Sequence, residues 1–168
     1  MKRLIATITI SILLLATAGL FAQTSASLKT DIKDLNEAQY SNESFNSILN
    51  QYKGKVVYLD FWASWCGPCK KEMPYSQNLQ EEFKGQDVVF LYLSVDRNAQ
   101  QWLNMIEKLQ ITGEHYRANS DVHQELNAQF NVRSIPRYVL IDKKGEVVSA
   151  NATRPSNPAV VEEIKKLL

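Results

Sequence analysis

Asp60-Phe61-Trp62-Ala63-Ser64-Trp65-Cys66-Gly67-Pro68-Cys69-Lys70 joins the end of an apolar run to two closely spaced cysteines. The run begins at Val56 and reads Val-Val-Tyr-Leu-Asp-Phe-Trp, apolar and β-branched apart from one acid. Continuity without alternation marks a strand buried on both faces, the habit of a parallel sheet. A helix is expected from Lys70 to Phe83, kinked where Pro74 removes a backbone hydrogen bond, so Cys66 falls at the handover from strand to helix. There, backbone N–H groups and the positive end of the helix dipole favour the thiolate. The thiolate is the nucleophile of disulfide exchange, which makes Cys66 the candidate attacking residue. Cys69, one helical turn on and tucked under the exposed tip, is the candidate resolving residue.

Working outward, Ser41 to Tyr52 reads as a short helix capped by Ser41 or Asn42, with Phe45, Ile48 and Leu49 on one face and Gly54 ending it. Asp87 to Val95 is a second buried strand. Trp102, Met105, Ile106 and Leu109 then recur at helical spacing, ending near Gly113. Glu114 to Asn119 offers a short extended piece, and Val122, Leu126 and Phe130 mark a helix starting at Ser120 or Asp121. Arg137 to Asp142 and Glu146 to Ala150 flank Lys143-Lys144-Gly145, a hairpin signal. A last helix opens at Asn157-Pro158 with proline in its first turn. Strands alternating with helices predict an α/β fold whose mixed central sheet has a parallel core, an antiparallel hairpin edge and helices on both faces.

Residues 1–22 have the grammar of an export signal: Lys2 and Arg3, an apolar stretch from Leu4 to about Leu15, and small residues running to Ala22. Cleavage is expected after Ala22, with Thr24-Ser25-Ala26 as a second position. Leu4 to Ala22 also has the length of an uncleaved membrane anchor. Either way the bulk of the chain is expected outside the cytoplasm, periplasmic or otherwise extracytoplasmic. No cysteine lies near the leader, so lipid attachment is not expected. Residues 23–38 read as a flexible, loosely ordered lead-in and residues 39–168 as one domain, long enough for a single core.

Without the leader, 17 basic residues face 18 acidic ones, a near balance that argues against nucleic-acid binding. An exported chain normally spends cysteines on structural disulfides, yet this one has only two, three positions apart. A bridge that short removes little entropy from the unfolded chain, so chemistry explains the pair better than stability. A CxxC pair can also be half a zinc site. The only other soft ligands, His115 and His123, are not spaced as its second half and read as surface or partly buried polar residues, so no metal or other cofactor is expected.

The segment Asp60 to Lys70 resembles the active-site segment of thioredoxin. Pro74, five residues after Cys69, matches the kink, and Ser134-Ile135-Pro136 resembles the loop in which the superfamily carries a cis-proline facing the dithiol. Glu72-Met73-Pro74, the leader and the helical insertion from Gln100 to Phe130 are more like the TlpA/ResA branch of extracytoplasmic thioredoxin-like reductases. The resemblance covers roughly residues 55–168 and implies a thioredoxin fold with thiol-disulfide oxidoreductase activity.

The supporting residues each carry two readings. Asp60, inside a buried strand, should have a raised pKa. It is then either the proton acceptor for Cys69 or a hydrogen-bonded structural acid. Pro136 is either a turn proline or, if cis, the residue that leaves the Ile135 backbone free to pair with an extended substrate. In the second case Trp65, Pro68 and Ile135 form the apolar rim of a docking surface; Trp62 reads as core. Glu72 is a solvated charge or helps to tune the dithiol. Arg137 departs from the small hydroxyl residue common after this proline. With Arg133 it either favours the Cys66 thiolate or acidic partners, or is plain surface charge.

Two functional classes follow. The first is an enzyme exchanging disulfides with exported proteins, most simply as a reductant because Gly67-Pro68 resembles thioredoxin, with net oxidation as its alternative. It implies a membrane-embedded electron donor, and the branch resemblance adds apocytochrome c thiols as a substrate class. A monomer is expected. The second class is a non-catalytic binding module using the Pro136 groove, against which the complete dithiol and the in-strand acid both argue. A peroxidase is disfavoured because Ala63 stands where a peroxiredoxin-type threonine would be.

Overall fold

The computed structural model describes residues 30–168, so the expected signal segment and the first part of the lead-in lie outside the described residues. In chain order the elements are β1 (Thr30–Asp34), a 3-10 turn (Ala38–Tyr40), α1 (Phe45–Asn50), β2 (Val56–Trp62), α2 (Gly67–Glu82), β3 (Val88–Ser94), α3 (Ala99–Leu109), β4 (Gly113–Arg117), α4 (Ser120–Phe130), β5 (Arg137–Ile141), β6 (Val147–Ser149) and α5 (Ala159–Lys165). The strands form one six-stranded sheet in the order β1-β4-β3-β2-β5-β6.

All seven residues of β2 are buried, as its unbroken apolar sequence requires. It pairs parallel with β3 and antiparallel with β5, so the parallel core and the antiparallel β5–β6 hairpin meet at this strand. Side chains alternate across the sheet. Tyr58 and Trp62 enter a layer with Cys69 and Met73 of α2, Trp102 of α3 and Ile164 of α5. Val57, Leu59 and Phe61 enter the opposite layer with Phe45 and Ile48 of α1 and Leu126 and Phe130 of α4. Helices thus cover both faces, and the mixed thioredoxin-like sheet with its helical insertion is the fold expected from the sequence.

The ends of several elements differ from expectation. The lead-in is not loose throughout: Thr30–Asp34 forms β1, an edge strand parallel to β4. Its five residues include two acids, a lysine and a single large apolar residue, so backbone pairing rather than apolar content makes it a strand. Its polar side chains are held too, since Lys33 Nζ donates to Tyr116 OH at 3.1 Å and Asp34 pairs with Arg117 at 2.6 Å. The extended piece after α3 is strand β4, packed between β1 and β3. Helix α1 is shorter than the periodicity predicts, because Ser44, not Ser41 or Asn42, is its cap. Ser44 Oγ accepts from the Ser47 N–H at 3.1 Å and Ser47 Oγ accepts from the Ser44 N–H at 2.9 Å, a capping box that fixes the first turn there.

Gly113, the first residue of β4, has φ of 113°, and a Cβ built there would lie 2.8 Å from the Phe90 carbonyl oxygen. Backbone conformation and close strand approach both demand glycine. Gly113→Ala is expected to destabilise the fold by about 1–3 kcal/mol, read as a lower urea midpoint at unchanged slope.

Candidate active site

Cys66 is the N-cap of α2, with Gly67 and Pro68 opening the first turn. Proline fits there because the missing N–H would have no helical partner. Cys66 Sγ accepts from the Cys69 N–H at 3.1 Å and is bonded to Cys69 Sγ at 2.05 Å, so the dithiol is in its oxidised form. The graded burial follows the expected order but is tighter: Cys66 keeps 4% exposure and Cys69 none. A partner must therefore bring its sulfur to the helix tip.

The loop carrying the dithiol is pinned by a residue that the sequence reading passed over. Asp96, just beyond β3, accepts from the Ser64 N–H at 2.8 Å, from Ser64 Oγ at 2.6 Å and from Ser94 Oγ at 2.7 Å. Arg117 then donates to the Asp96 and Arg97 carbonyls at 3.3 Å. The loops after β2 and β3 are locked together two residues before Cys66. The available signal was the pairing of Ser64, in the dithiol loop, with an Asp at the end of the next strand.

Asp60 shares a face of β2 with Tyr58 and Trp62, the layer that holds Cys69. Its register neighbours are Tyr92 on β3 and Tyr138 on β5. The Tyr92 hydroxyl is engaged by Ser76 at 2.6 Å and Gln80 at 2.7 Å, while Tyr138 OH and both Asp60 oxygens have no partner among the described residues. Burial, reinforced by the negative charge of Glu72, holds the Asp60 carboxyl well above the usual carboxylate range. A sealed acid that stays neutral more readily than an ordinary one can take up and return a proton without a permanent counter-charge.

Glu72 is not a solvated charge. It is 7% exposed and accepts from the Ser156 N–H at 3.0 Å and from Ser156 Oγ at 3.1 Å, with Arg154 at 3.5 Å. Tyr58 OH donates to the Thr153 carbonyl at 2.6 Å, so the stretch from Thr153 to Ser156 is fastened both to α2 and to the central strand. His115 also departs from expectation: it is fully buried, stacked on Tyr92 at 4.8 Å, and its pKa falls to about 4 through burial. His123 is exposed.

On the other side of the dithiol, Trp65 is 63% exposed and Pro68 is exposed, while Ile135 and Pro136 are half-buried. The Ile135–Pro136 bond is cis. Trp65 and Ile135 line a cleft of about 190 Å³ with Phe61, Leu126 and Val132, whereas Pro68 and Pro136 stand outside it. Arg137 donates to the Ala150 carbonyl at 2.9 Å and Arg133 to Asn131 Oδ1 at 3.3 Å; neither forms an ion pair among the described residues. No helix among those residues is long and apolar enough to cross a membrane.

A thioredoxin-like sheet with a CxxC disulfide capping a helix, beside a cis-proline, is the construction of a thiol-disulfide oxidoreductase. The chain belongs to the Redoxin family, whose model matches residues 29–168. It is 36% identical over 120 residues to the thiol-disulfide oxidoreductase ResA of Geobacillus kaustophilus, covering 70% of this chain and 67% of that one. A candidate thiol-disulfide oxidoreductase from Bacteroides vulgatus superposes with TM-score 0.63 at 39% identity, covering 71% of this chain and 77% of that one. The thioredoxin domain of a second oxidoreductase from the same organism superposes with TM-score 0.64 at 26% identity, covering 70% and 82%. The dithiol of this chain performs thiol–disulfide exchange.

The raised pKa of Asp60 sets the sign of a stability change. An unfolded Asp ionises near pH 4. Below that pH both states are protonated and the fold carries no penalty; as pH rises towards the folded-state pKa, only the unfolded chain releases the proton and stability is lost. Asp60→Asn is expected to stabilise the protein by about 1–3 kcal/mol at pH 8, with the gain fading below pH ~4, in thermal melts across that range.

Proposed function

We propose that the chain reduces disulfides in exported proteins outside the cytoplasm, with Cys66 attacking, Cys69 resolving and Asp60 accepting the Cys69 proton. The observation that carries this reading is Asp60, a buried carboxyl in the same layer as Cys69 that has no hydrogen-bond partner among the described residues. No packing need accounts for it, since burying a polar group unpaired is unfavourable.

The steps balance around the dithiol. The Cys66 thiolate, favoured at the helix N-terminus, attacks one sulfur of the substrate disulfide; that bond breaks, the mixed disulfide forms and the departing thiolate takes a proton from water. Asp60 then takes the Cys69 proton, and the Cys69 thiolate attacks Cys66 Sγ. The mixed disulfide breaks, the second substrate thiolate leaves and the Cys66–Cys69 bond forms. Two electrons pass to the substrate. Recovery of the dithiol requires a two-electron thiol donor, and outside the cytoplasm a membrane-embedded one supplies it.

Trp65, Pro68, Ile135 and Pro136 frame the approach of the substrate segment, with the Ile135 backbone as its pairing edge. The signal-like residues 1–22 support export, and the resemblance of this sequence to the TlpA/ResA branch of reductases supports a reductant with apocytochrome c thiols as a substrate class. Gly67-Pro68 supports the same direction, as thioredoxin with that pair is reducing, at about −270 mV.

A Cys69→Ser variant is expected to accumulate mixed disulfides with exported proteins through Cys66, read by non-reducing electrophoresis; recovery of none removes the substrate assignment. Asp60→Asn should slow the resolving step about 100-fold at neutral pH in single-turnover measurements. The direction is checked by the equilibrium potential of the dithiol: a value near the about −120 mV of a strong oxidant would reverse it.

A further inference from the structure

The crevice beyond the carboxyl ends of β3 and β4 is not used by the chemistry above. These adjacent strands send their helices to opposite faces: α3 packs through Trp102 and Ile106 into one layer, α4 through Val122, Leu126 and Phe130 into the other. Such a divergence is the topological switch point where open α/β sheets bind ligands. A cleft of about 780 Å³ opens there, walled by the loops after β1, β3 and β4. It shares Trp65, Val95 and His123 with the small apolar cleft beside Ile135, so the two form one groove running from the cis-proline loop past the residue before Cys66.

We propose that this groove docks an acidic segment of the substrate polypeptide flanking the cysteine that Cys66 attacks. The proposal rests on the reductase reading and names the class of substrate the site takes. Charge identifies the occupant. Of the ionisable groups lining the larger cleft, Asp96 is buried with its carboxylate turned to the Ser64 and Ser94 donors, and Arg117 is paired with Asp34. Arg97 and Arg133, lining the larger and smaller clefts respectively, are exposed and have no ion pair among the described residues. Among the described residues no exposed carboxylate lines either cleft; Asp121, in the first turn of α4, is exposed but outside both. The N-termini of α3 and α4, capped by Asn98 and Asn119, add positive partial charge to the same wall. The apolar end beside Ile135 and Trp65 receives the residue next to the reacting cysteine, and the guanidinium groups receive acids farther along.

The test uses the reduced full chain and two cyclic disulfide peptides that differ only in flanking residues, glutamates in one and lysines in the other. Stopped-flow oxidation of the dithiol is expected to run roughly tenfold faster with the glutamate peptide at low salt, and the preference should shrink in 0.5 M salt. Arg97→Glu combined with Arg133→Glu should reverse it. Lys53→Glu combined with Lys55→Glu makes the same change in net charge at exposed positions near the start of β2 and should leave the preference intact. Equal rates for both peptides, or a preference untouched by the arginine changes, would overturn the inference. Bis(2-hydroxyethyl) disulfide, small and uncharged, separates the two levels: if the wild type reduces it without discriminating the peptides, only the docking inference fails, and if it reduces none of the three, the reductase reading fails first.

Discussion

Burial of β2 on both faces is the constraint from which the rest of the molecule is organised. A strand with parallel β3 on one side and antiparallel β5 on the other has no edge to expose, and its side chains must satisfy two cores at once. That double demand explains the unbroken apolar sequence and makes Asp60 conspicuous. It also places the chain exit at Trp62 over the middle of the sheet, where the next turn begins α2 and brings Cys66 to the helix tip. The position of the dithiol is therefore a consequence of sheet topology, and the Asp96 hydrogen bonds refine it by fixing the loop between strand and helix.

Much of this was legible because the relevant signals are local. The run from Val56 to Trp62, the CxxC at a strand-to-helix junction and the lysine-glycine turn between β5 and β6 each declare themselves within a few residues. What escaped depends on partners far along the chain. β1 is a strand because β4, more than 80 residues later, offers it an edge. Asp96 fixes the active-site loop through Ser64, 32 residues earlier. Glu72 looks like an ordinary helix-surface charge until Ser156, 84 residues on, folds over it. The cap of α1 was misplaced for a different reason: several polar residues before Phe45 can all cap a helix, and the choice falls to the one whose third neighbour reciprocates.

The two sides of the dithiol differ in kind. In the layer of α2 the groups are sealed or internally matched: Asp60 flanked by two tyrosines with its pKa raised by burial, Glu72 under the Thr153–Ser156 stretch, His115 stacked on Tyr92 with its pKa lowered by burial. Beside the dithiol lies an open wall that carries the exposed Arg97 and Arg133, with an apolar corner. The proposed proton transfer belongs to the buried side and the proposed docking to the exposed one.

The alternation of β2 separates these duties within consecutive residues. Asp60 faces the layer of α2, whereas Phe61 faces the layer of α4 and lines the small cleft. One step along a single strand thus passes from an acid in the layer of Cys69 to a residue lining the small cleft, with the sheet itself between them. A change in α4 that redraws the groove meets the opposite face only through the sheet, whereas the loop after β3 is tied to the dithiol loop through Asp96 and Ser64. The sheet works as a partition, with the proposed docking surface on one side and the layer that holds Cys69 on the other.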